Sequence, residues 1–218
     1  MGERFKRKGS FRHFLLQNAI SLITLVLFTA SAFFTVQVVL MRQQLRYSDP
    51  SLFQNGDIVQ VFKVVDGDEV RIAVSDAADP ETSSTVVRLL GIKSFDATVS
   101  DPMLSEYGKI CFDYLKSCAE GKLARLEIPE KRLGDKGRLL GTLFLEDETG
   151  AYTLDLCSEL IARGYTLVYT RYDFERMQTY LEIQNRAKQD HSGFWGNPRI
   201  ASKAEALNMI WMEEKTGD

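Results

Sequence analysis

The sequence is poor in the residues that most metal and disulfide sites need. Its 218 residues include only two histidines, His13 and His191, and three cysteines, Cys111, Cys118 and Cys157. Two distant histidines argue against a histidine-based zinc site, and three scattered cysteines form no disulfide framework. Cys111 and Cys118 lie on a predicted helix, separated by about 10 Å of helical rise, which is too far for a disulfide. We predict that the cysteines are small buried residues.

Positive charge is also scarce beyond the N-terminus. The chain has 27 basic and 30 acidic residues, and residues 1–13 hold five of the basic and one of the acidic residues. The remainder, 22 basic and 29 acidic residues, carries a net charge of −7. A domain that binds nucleic acid through its phosphates usually presents a basic surface. The composition therefore disfavours a general nucleic-acid binder and leaves room only for a local basic groove.

The N-terminal region does contain one long apolar run. Residues 19–41, "AISLITLVLFTASAFFTVQVVLM", are 23 residues without a charge. As a helix this run is about 35 Å long, enough to cross a hydrocarbon core of about 30 Å. The basic residues before it are expected to stay in the cytoplasm. We predict a single-pass membrane protein with a cytoplasmic tail at 1–13, a transmembrane signal anchor at 14–41 and an extracytoplasmic C-terminal domain.

Two alternatives to an anchor remain for this run. A buried core helix does not need so long a charge-free stretch. A cleaved signal peptide is the stronger rival, because "ASA" at 30–32 resembles a small-residue cleavage site ending at Ala32. Cleavage there would leave the apolar sequence "FFTVQVVLM" as a new N-terminus, so we favour the uncleaved anchor.

The rest of the chain reads as a polar linker, 42–55, followed by a domain, 56–198, and a C-terminal extension, 199–218. Alternating and β-branched residues predict five strands, at 57–65, 69–74, 85–92, 123–128 and 139–145. Helical spacing predicts about three helices, at 105–119, 154–164 and 173–190. Five strands with a helix between the third and fourth predict an α+β, mainly β fold built on a five-stranded OB-type barrel.

The apolar positions also predict which helix faces are buried. In the helix 105–119, the apolar side chains of Ile110, Tyr114, Leu115 and Cys118 should share one side. In the helix 173–190, we predict that Phe174, Met177 and Leu181 cover apolar surface.

Six short motifs occur in an order and spacing that carry a family resemblance. They are "VVDGDEV" at 64–70, "RLLGI" at 88–92, "SEYGKICFDYL" at 105–115, "GRLLG" at 137–141, "ELIARGY" at 159–165 and "GFW" at 193–195. Together they resemble the staphylococcal nuclease (thermonuclease-like) family over about residues 57–196. The resemblance implies the OB-type barrel and a calcium-dependent hydrolysis of phosphodiester bonds in DNA and RNA.

The resemblance also implies roles for individual residues. Asp68, the second aspartate of "DGD", falls on a calcium-ligand position, and Arg88 and Arg138 fall on two phosphate-binding arginines. The family then has a metal-binding aspartate, a threonine, a proline and a glutamate that acts as general base or positions water. Those four places hold the sequence "KSFD" at 93–96, and the threonine common after "DGD" is Glu69.

The substitutions weigh against calcium chemistry. Calcium takes six to eight oxygen ligands, several of them charged. Lys93 replaces one carboxylate by an ammonium, and a lysine about 4 Å from a dication repels it by roughly 8 kcal/mol at an effective dielectric constant of 20. Asp96 is one methylene shorter than glutamate, and a base displaced by about 1 Å can lose ~100-fold in rate.

We therefore hypothesise that Lys93 lies at the vacated cation position and neutralises Asp68 and Asp96. The alternatives are that Lys93 points to solvent and that Arg88 and Arg138 form ordinary salt bridges. Phe95 is either an exposed binding side chain or an aromatic packed on its own barrel.

Three functions remain open. The favoured one is a degenerate nuclease domain, non-catalytic or weakly active, that serves as a structural or protein-binding module with a possible membrane-protein partner. It needs no cofactor. The second is a membrane-anchored nuclease that uses calcium, and the third is a non-catalytic nucleic-acid binder.

Overall fold

A computed structural model describes residues 23, 25–37, 49–75, 79–81, 83–134 and 137–216. The chain divides into two compact units, Met1–Arg46 and Tyr47–Asp218. In the first unit, residues 25–37 are helical. None of the helices in the described ranges has both the length and the apolar character needed to cross a membrane. The predicted tail at 1–13 and most of the predicted anchor, all but 23 and 25–37, lie outside the described residues.

The second unit is built on a closed barrel of five strands. The strands of this unit are β1 (Ile58–Asp66), β2 (Glu69–Val74), β3 (Ser84–Leu89), β4 (Ile92–Ser94), β5 (Leu123–Glu127), β6 (Leu139–Glu146), β7 (Tyr152–Asp155) and β8 (Thr166–Val168). The main sheet has the order β3-β2-β1-β5-β6-β7, and a parallel pairing of β3 with β6 closes it. The predicted five-stranded OB-type barrel is therefore confirmed.

Alternation of side chains explains why β1 and β2 form the barrel wall. Val59, Val61 and Val64 of β1 and Val70 and Ile72 of β2 are buried inside, while intervening residues face outward. The register of β1 against β2 shifts twice, between residues 61 and 63 and between 64 and 66. Such bulges bend a strand and increase its twist, which helps a short sheet to close.

Three short strands were absent from the sequence prediction. β4 and β8 form a separate two-stranded sheet, and β7 extends the main sheet beyond β6. The single strand predicted at 85–92 is wrong, because Gly91 adopts a φ of +79° and breaks it. A Cβ at Gly91 would lie 2.5 Å from the ring of Phe174, so the turn there requires glycine.

Four helices pack around the barrel. They are α1 (Pro102–Ala119), α2 (Leu156–Ala162), α3 (Met177–Gln189) and α4 (Pro198–Thr216). The helix predicted from residue 154 begins at Leu156, because 152–155 pair with β6 and Asp155 caps the helix. "About three helices" was an underestimate, because the predicted extension 199–218 is a helix through residue 216. Ile200 and Ala204 of α4 are fully buried.

The buried face of α1 differs from the prediction by a rotation. Gly108, Cys111, Leu115 and Ala119 face the core, whereas Ile110 is 37% exposed. Gly108 lies on the buried face because the helix packs closely there: a Cβ at this position would lie 2.6 Å from the carbonyl oxygen of Phe95. The helix backbone therefore approaches the chain after β4 too closely for larger residues.

The buried face of α3 was also predicted only in part. The helix buries Tyr180, Gln184 and Ala187. Leu181 packs at the edge of the core, and so does Phe174, which precedes the helix.

Gln184 is buried because its Oε1 accepts a hydrogen bond of 2.8 Å from the backbone N–H of Val168, on β8. A polar residue therefore occupies a position that apolar spacing alone would not assign to the core. Cys111 and Cys157 are fully buried, as predicted, and Cys118 is partly buried.

Candidate functional site

The strand register brings the family positions together at one end of the barrel. Glu69, the first residue of β2, pairs directly with Arg88 of β3. Arg88 pairs with Leu140 of β6, so Arg138 lies just before the same end of β6. Asp68 sits in the tight turn that joins β1 to β2. Three neighbouring strands and one turn thus deliver two arginines and two carboxylates to a single region.

The carboxylate of Asp68 is completely buried and holds three partners. Oδ1 accepts from Nη1 of Arg88. Oδ2 accepts from the backbone N–H of Ser94 at 2.9 Å and forms an ion pair with Nζ of Lys93 at 3.3 Å. Gly67 permits this approach, because a Cβ there would lie 2.7 Å from Cβ of Ser94. The position that the resemblance assigns to a calcium ligand is therefore surrounded by donors from the protein itself.

Lys93 reaches Asp68 from the surface. Its side chain is 40% exposed, whereas that of Asp68 is 0% exposed. The carboxylate of Asp96 is exposed and accepts from the backbone N–H and the hydroxyl of Thr98, each at 2.7 Å. These hydrogen bonds, more than the charge of Lys93, hold the pKa of Asp96 below its ordinary value. The structure thus brings Lys93 to Asp68 and turns Asp96 toward Thr98.

Glu69 bridges the two arginines. Its Oε1 accepts from Nη1 of Arg138 and lies 3.5 Å from Nη1 of Arg88. Nη2 of Arg88 also donates to the carbonyl of Ile92 at 3.2 Å. From the sequence, Glu69 was noted only as a replacement of the family threonine, and its contact with both arginines was not predicted.

Phe95 does not extend into solvent. It is 7% exposed, and its ring meets that of Phe194 edge-on at a centroid distance of 5.1 Å. The alternative in which this aromatic packs on its own domain is the one that the structure shows, so the suggestion of an exposed binding side chain was wrong.

The site opens into a cavity of about 650 Å³. Basic, acidic and aromatic side chains line it: Arg88, Lys93, Lys131, Arg138 and Arg176; Glu127, Asp173 and Glu175; and Tyr169, Tyr172 and Trp211. Trp211 belongs to α4, and the sequence analysis did not predict this helix. The aromatic side chains that line the cavity were therefore not predicted. Its signal in the sequence was the helical spacing of Ile200, Ala204, Leu207 and Trp211.

Asp66, a third carboxylate near the site, is held within its own turn. Asp66 is half-buried, and that burial raises the pKa of its carboxyl. Asp66 accepts from the backbone N–H of Gly67 at 2.7 Å, within its own turn. Within the described ranges, no group of three or more histidine, cysteine, aspartate or glutamate side chains is placed to hold a metal ion.

Comparison with known proteins places this geometry in a family. No curated protein matches the chain. The family described as "Staphylococcal nuclease homologue" matches residues 86–197, just over half of the 218 residues. The match includes Arg88, Lys93 and Arg138, whereas β1, β2 and Asp68 precede it and all of α4 follows it. The chain therefore belongs to the family of staphylococcal nuclease homologues.

Proposed function

We propose that this chain is a membrane-anchored staphylococcal nuclease-like protein whose domain does not use calcium to cut nucleic acid. The domain serves instead as a non-catalytic module for structural or protein–protein contacts. One observation carries the proposal: the buried carboxylate of Asp68 is engaged by Arg88, Lys93 and the N–H of Ser94.

The residues present do not fit a calcium ion. Calcium needs six to eight oxygen ligands, and the one carboxylate at a family ligand position already accepts from three donors. The ammonium of Lys93, 3.3 Å from Asp68, places a positive charge beside the same oxygens. A dication about 4 Å from this lysine is repelled by roughly 8 kcal/mol, twice the unit-charge figure.

The general-base position supports the same conclusion. A base must lie within hydrogen-bond reach of the proton that it removes. Asp96 is shorter than the family glutamate, and its carboxylate already accepts two hydrogen bonds from Thr98. Neither the metal nor the base of the family reaction is therefore supported by the side chains present.

The membrane placement rests on the sequence. Residues 19–41 carry no charge, and residues 1–13 contain five basic residues. On this basis residues 14–41 anchor the chain with the N-terminus in the cytoplasm, and the domain lies on the opposite side. The proposed partner of the domain is another membrane protein.

The anchored nuclease stays a second candidate because of one observation. Asp68, Arg88 and Arg138 are all retained: Asp68 pairs with Arg88, and Arg88 and Arg138 line a cavity with further basic residues. A direct test must therefore measure both calcium binding and cleavage.

The test is calcium titration calorimetry on the full-length chain, wild type and Lys93→Asp. We expect no measurable calcium binding by wild type. Lys93→Asp restores a ligand and removes the repulsion, so its affinity should rise by about two orders of magnitude or more, since several kcal/mol are involved. Lys131→Asp is the matched control, because Lys131 lines the same cavity and its replacement by aspartate changes the charge by the same amount. It should give no comparable gain.

A plasmid-cutting assay completes the test. Wild type should cut at background rate, Lys93→Asp should recover some cleavage, and adding Asp96→Glu should raise it further. Tight calcium binding and DNA cleavage by wild type would contradict the non-catalytic proposal and support the membrane-anchored nuclease. Salt-dependent DNA binding without cleavage would instead identify a nucleic-acid binder.

A further inference from the structure

The chain enters the barrel domain at a fixed point. The short 3-10 turn Pro50–Leu52 leads into Phe53, whose side chain is 1% exposed. Nη2 of Arg132 donates to the carbonyl oxygens of Pro50 and Phe53, at 2.9 and 2.7 Å. These contacts join the entering chain to the segment that leads from β5 to β6. Whatever holds the chain before residue 49 therefore also holds this part of the domain.

Little chain separates the entry point from the proposed anchor. Residues 42–48 lie between the end of the apolar run at Met41 and Asp49. Even when fully extended, the eight Cα steps from residue 41 to residue 49 span at most about 28 Å. A compact unit of the length of Tyr47–Asp218 is about 40 Å across. The domain therefore cannot turn over to bring its opposite side to the bilayer, and the side with the entry point stays nearer.

Exposed apolar side chains surround the entry point. Leu52, Leu133 and Tyr172 are 47%, 45% and 47% exposed. Two basic residues connect them: Arg132 contacts the turn that carries Leu52, and Nζ of Lys131 lies 5.8 Å from the centre of the Tyr172 ring. We call these five residues the entry face. Apolar and aromatic side chains beside lysine and arginine are typical of surfaces at a membrane–water interface.

The charge near the entry face is balanced. Asp49 directly precedes the turn Pro50–Leu52, and Glu130 directly precedes Lys131 and Arg132, so two carboxylates offset the two basic groups. A contact with lipid would then depend on apolar burial more than on attraction to anionic headgroups. The long stems of lysine and arginine can cover apolar surface while their charged ends stay in the headgroup layer.

We propose that the entry face rests in the interfacial layer of the bilayer and gives the domain one fixed orientation on the membrane. The inference rests on the proposed anchor at 14–41 and assigns the lipid surface as a second contact of the chain. The short tether holds the face at a high effective concentration near the bilayer, so a weak contact is sufficient. Lys131 and Tyr172 also line the cavity, so this orientation turns that part of its rim toward the lipid.

The test measures the membrane depth of single residues in the full-length chain, held in phosphatidylcholine nanodiscs. A nitrobenzoxadiazole fluorophore is attached at Leu133→Cys and, in a second sample, at Leu154→Cys, both in a Cys118→Ser background. Leu154 is the matched control, because it is 53% exposed and pairs with Leu145. Leu133 forms a bridge with Leu139, at the other end of β6, about 20 Å away along the strand.

Lipid that carries a nitroxide on its headgroup should remove most of the fluorescence at residue 133 and little of the fluorescence at residue 154. Adding Leu52→Asp and Tyr172→Asp should lower the quenching at residue 133, because aspartate is costly in the membrane. Leu154→Asp is the control for this change and should leave the quenching at residue 133 as it was.

The outcomes separate the inference from the anchor. A chain that stays in the discs but shows equal quenching at the two sites, or none, would overturn the inference and leave the anchor standing. A chain that does not enter the discs would overturn both. Quenching that needs phosphatidylglycerol and disappears in high salt would show charge attraction in place of apolar contact and would also refute the inference.

If the labelled variants do not fold, wild type decides. A photoreactive lipid headgroup in the same discs should cross-link to residues 50–53 and 131–133 and not to residues 152–155. The reverse pattern would refute the inference. None of these measurements uses calcium or nucleic acid, so the absence of catalysis is tested separately.

Discussion

At the scale of single residues, Gly164 has the most constrained environment of the glycines described. It follows α2 with a φ of +64°, and an added Cβ would lie 2.1 Å from the carbonyl oxygen of Ser192. Its own carbonyl accepts from the N–H of Phe194 at 3.0 Å. The helix end and the "GFW" motif are thus held together by a contact that only glycine allows.

We therefore expect Gly164→Ala to lower the free energy of unfolding by roughly 4 kcal/mol, combining left-handed strain with a backbone overlap. Urea unfolding of the full-length chain measures this. Gly121→Ala is the control, because Gly121 has a φ of +82° and nothing within 4 Å of an added Cβ. It should cost only about 1 kcal/mol. Equal losses at the two positions would contradict the packing argument.

The same scale shows how far the sequence could predict the site. The contact of Lys93 with Asp68 was expected, because opposite charges at adjacent family positions attract. Lys93 was also expected to neutralise Asp96, but the carboxylate of Asp96 accepts instead from the N–H and the hydroxyl of Thr98, two residues away. Such local hydrogen bonds of aspartate form without any tertiary partner. The bridge by Glu69 depended on the pairing of β3 with β6, which no local pattern encodes.

At the scale of elements, α4 is tied to the cavity by its last two turns. Trp211 meets Tyr169 edge-on at a centroid distance of 4.9 Å. Lys215 pairs with Asp173, and Glu214 lies 3.3 Å from Arg171. These contacts join α4 to the segment that connects β8 to α3. That segment lines one side of the cavity.

We expect Trp211→Ala to lower the free energy of unfolding by about 2 kcal/mol and to speed amide hydrogen exchange in the last turns of α4. Met209→Ala is the control on the same helix, since Met209 is 60% exposed. It should change stability by less than about 0.5 kcal/mol. Unchanged exchange in Trp211→Ala would show that the ring contact does not hold the helix.

Element boundaries were predictable where local signals agreed with the tertiary structure. Strand alternation placed β1 and β2 correctly to within a residue or so. The break between β3 and β4 was missed because Gly91 is needed for the ring of Phe174, more than 80 residues away in the chain. A pattern that reads only neighbouring residues has no access to that contact.

At the scale of the whole molecule, the anchor is the open prediction. Residues 14–41 should keep the full-length chain in the membrane fraction after carbonate extraction, because the run 19–41 has no charge to draw it into water. Replacing the five basic residues of 1–13 by glutamine is the control. It should change the orientation of the chain without releasing it. Mature protein in the soluble fraction that begins at Phe33 would indicate cleavage instead.

Composition alone suggested an N-terminal region, a linker and a domain, and the structure forms two compact units, Met1–Arg46 and Tyr47–Asp218. The sheet topology could not be read in the same way. Strand order depends on which strands meet after folding, and the parallel contact of β3 with β6 joins segments about 50 residues apart.

That parallel contact also bears on the order of folding events. Residues 87–89 can pair with 139–141 only after the intervening chain has closed into a loop. Loop closure lowers the conformational entropy of the chain before the pairing contributes any stability. Local hairpins such as β1–β2 need no such loop and form on a microsecond scale. Because β6 positions Arg138, the ion pair with Glu69 arises late, at barrel closure. A probe at residue 138 would therefore report the rate-limiting step of folding, whereas a probe at residue 72 would report the early hairpin.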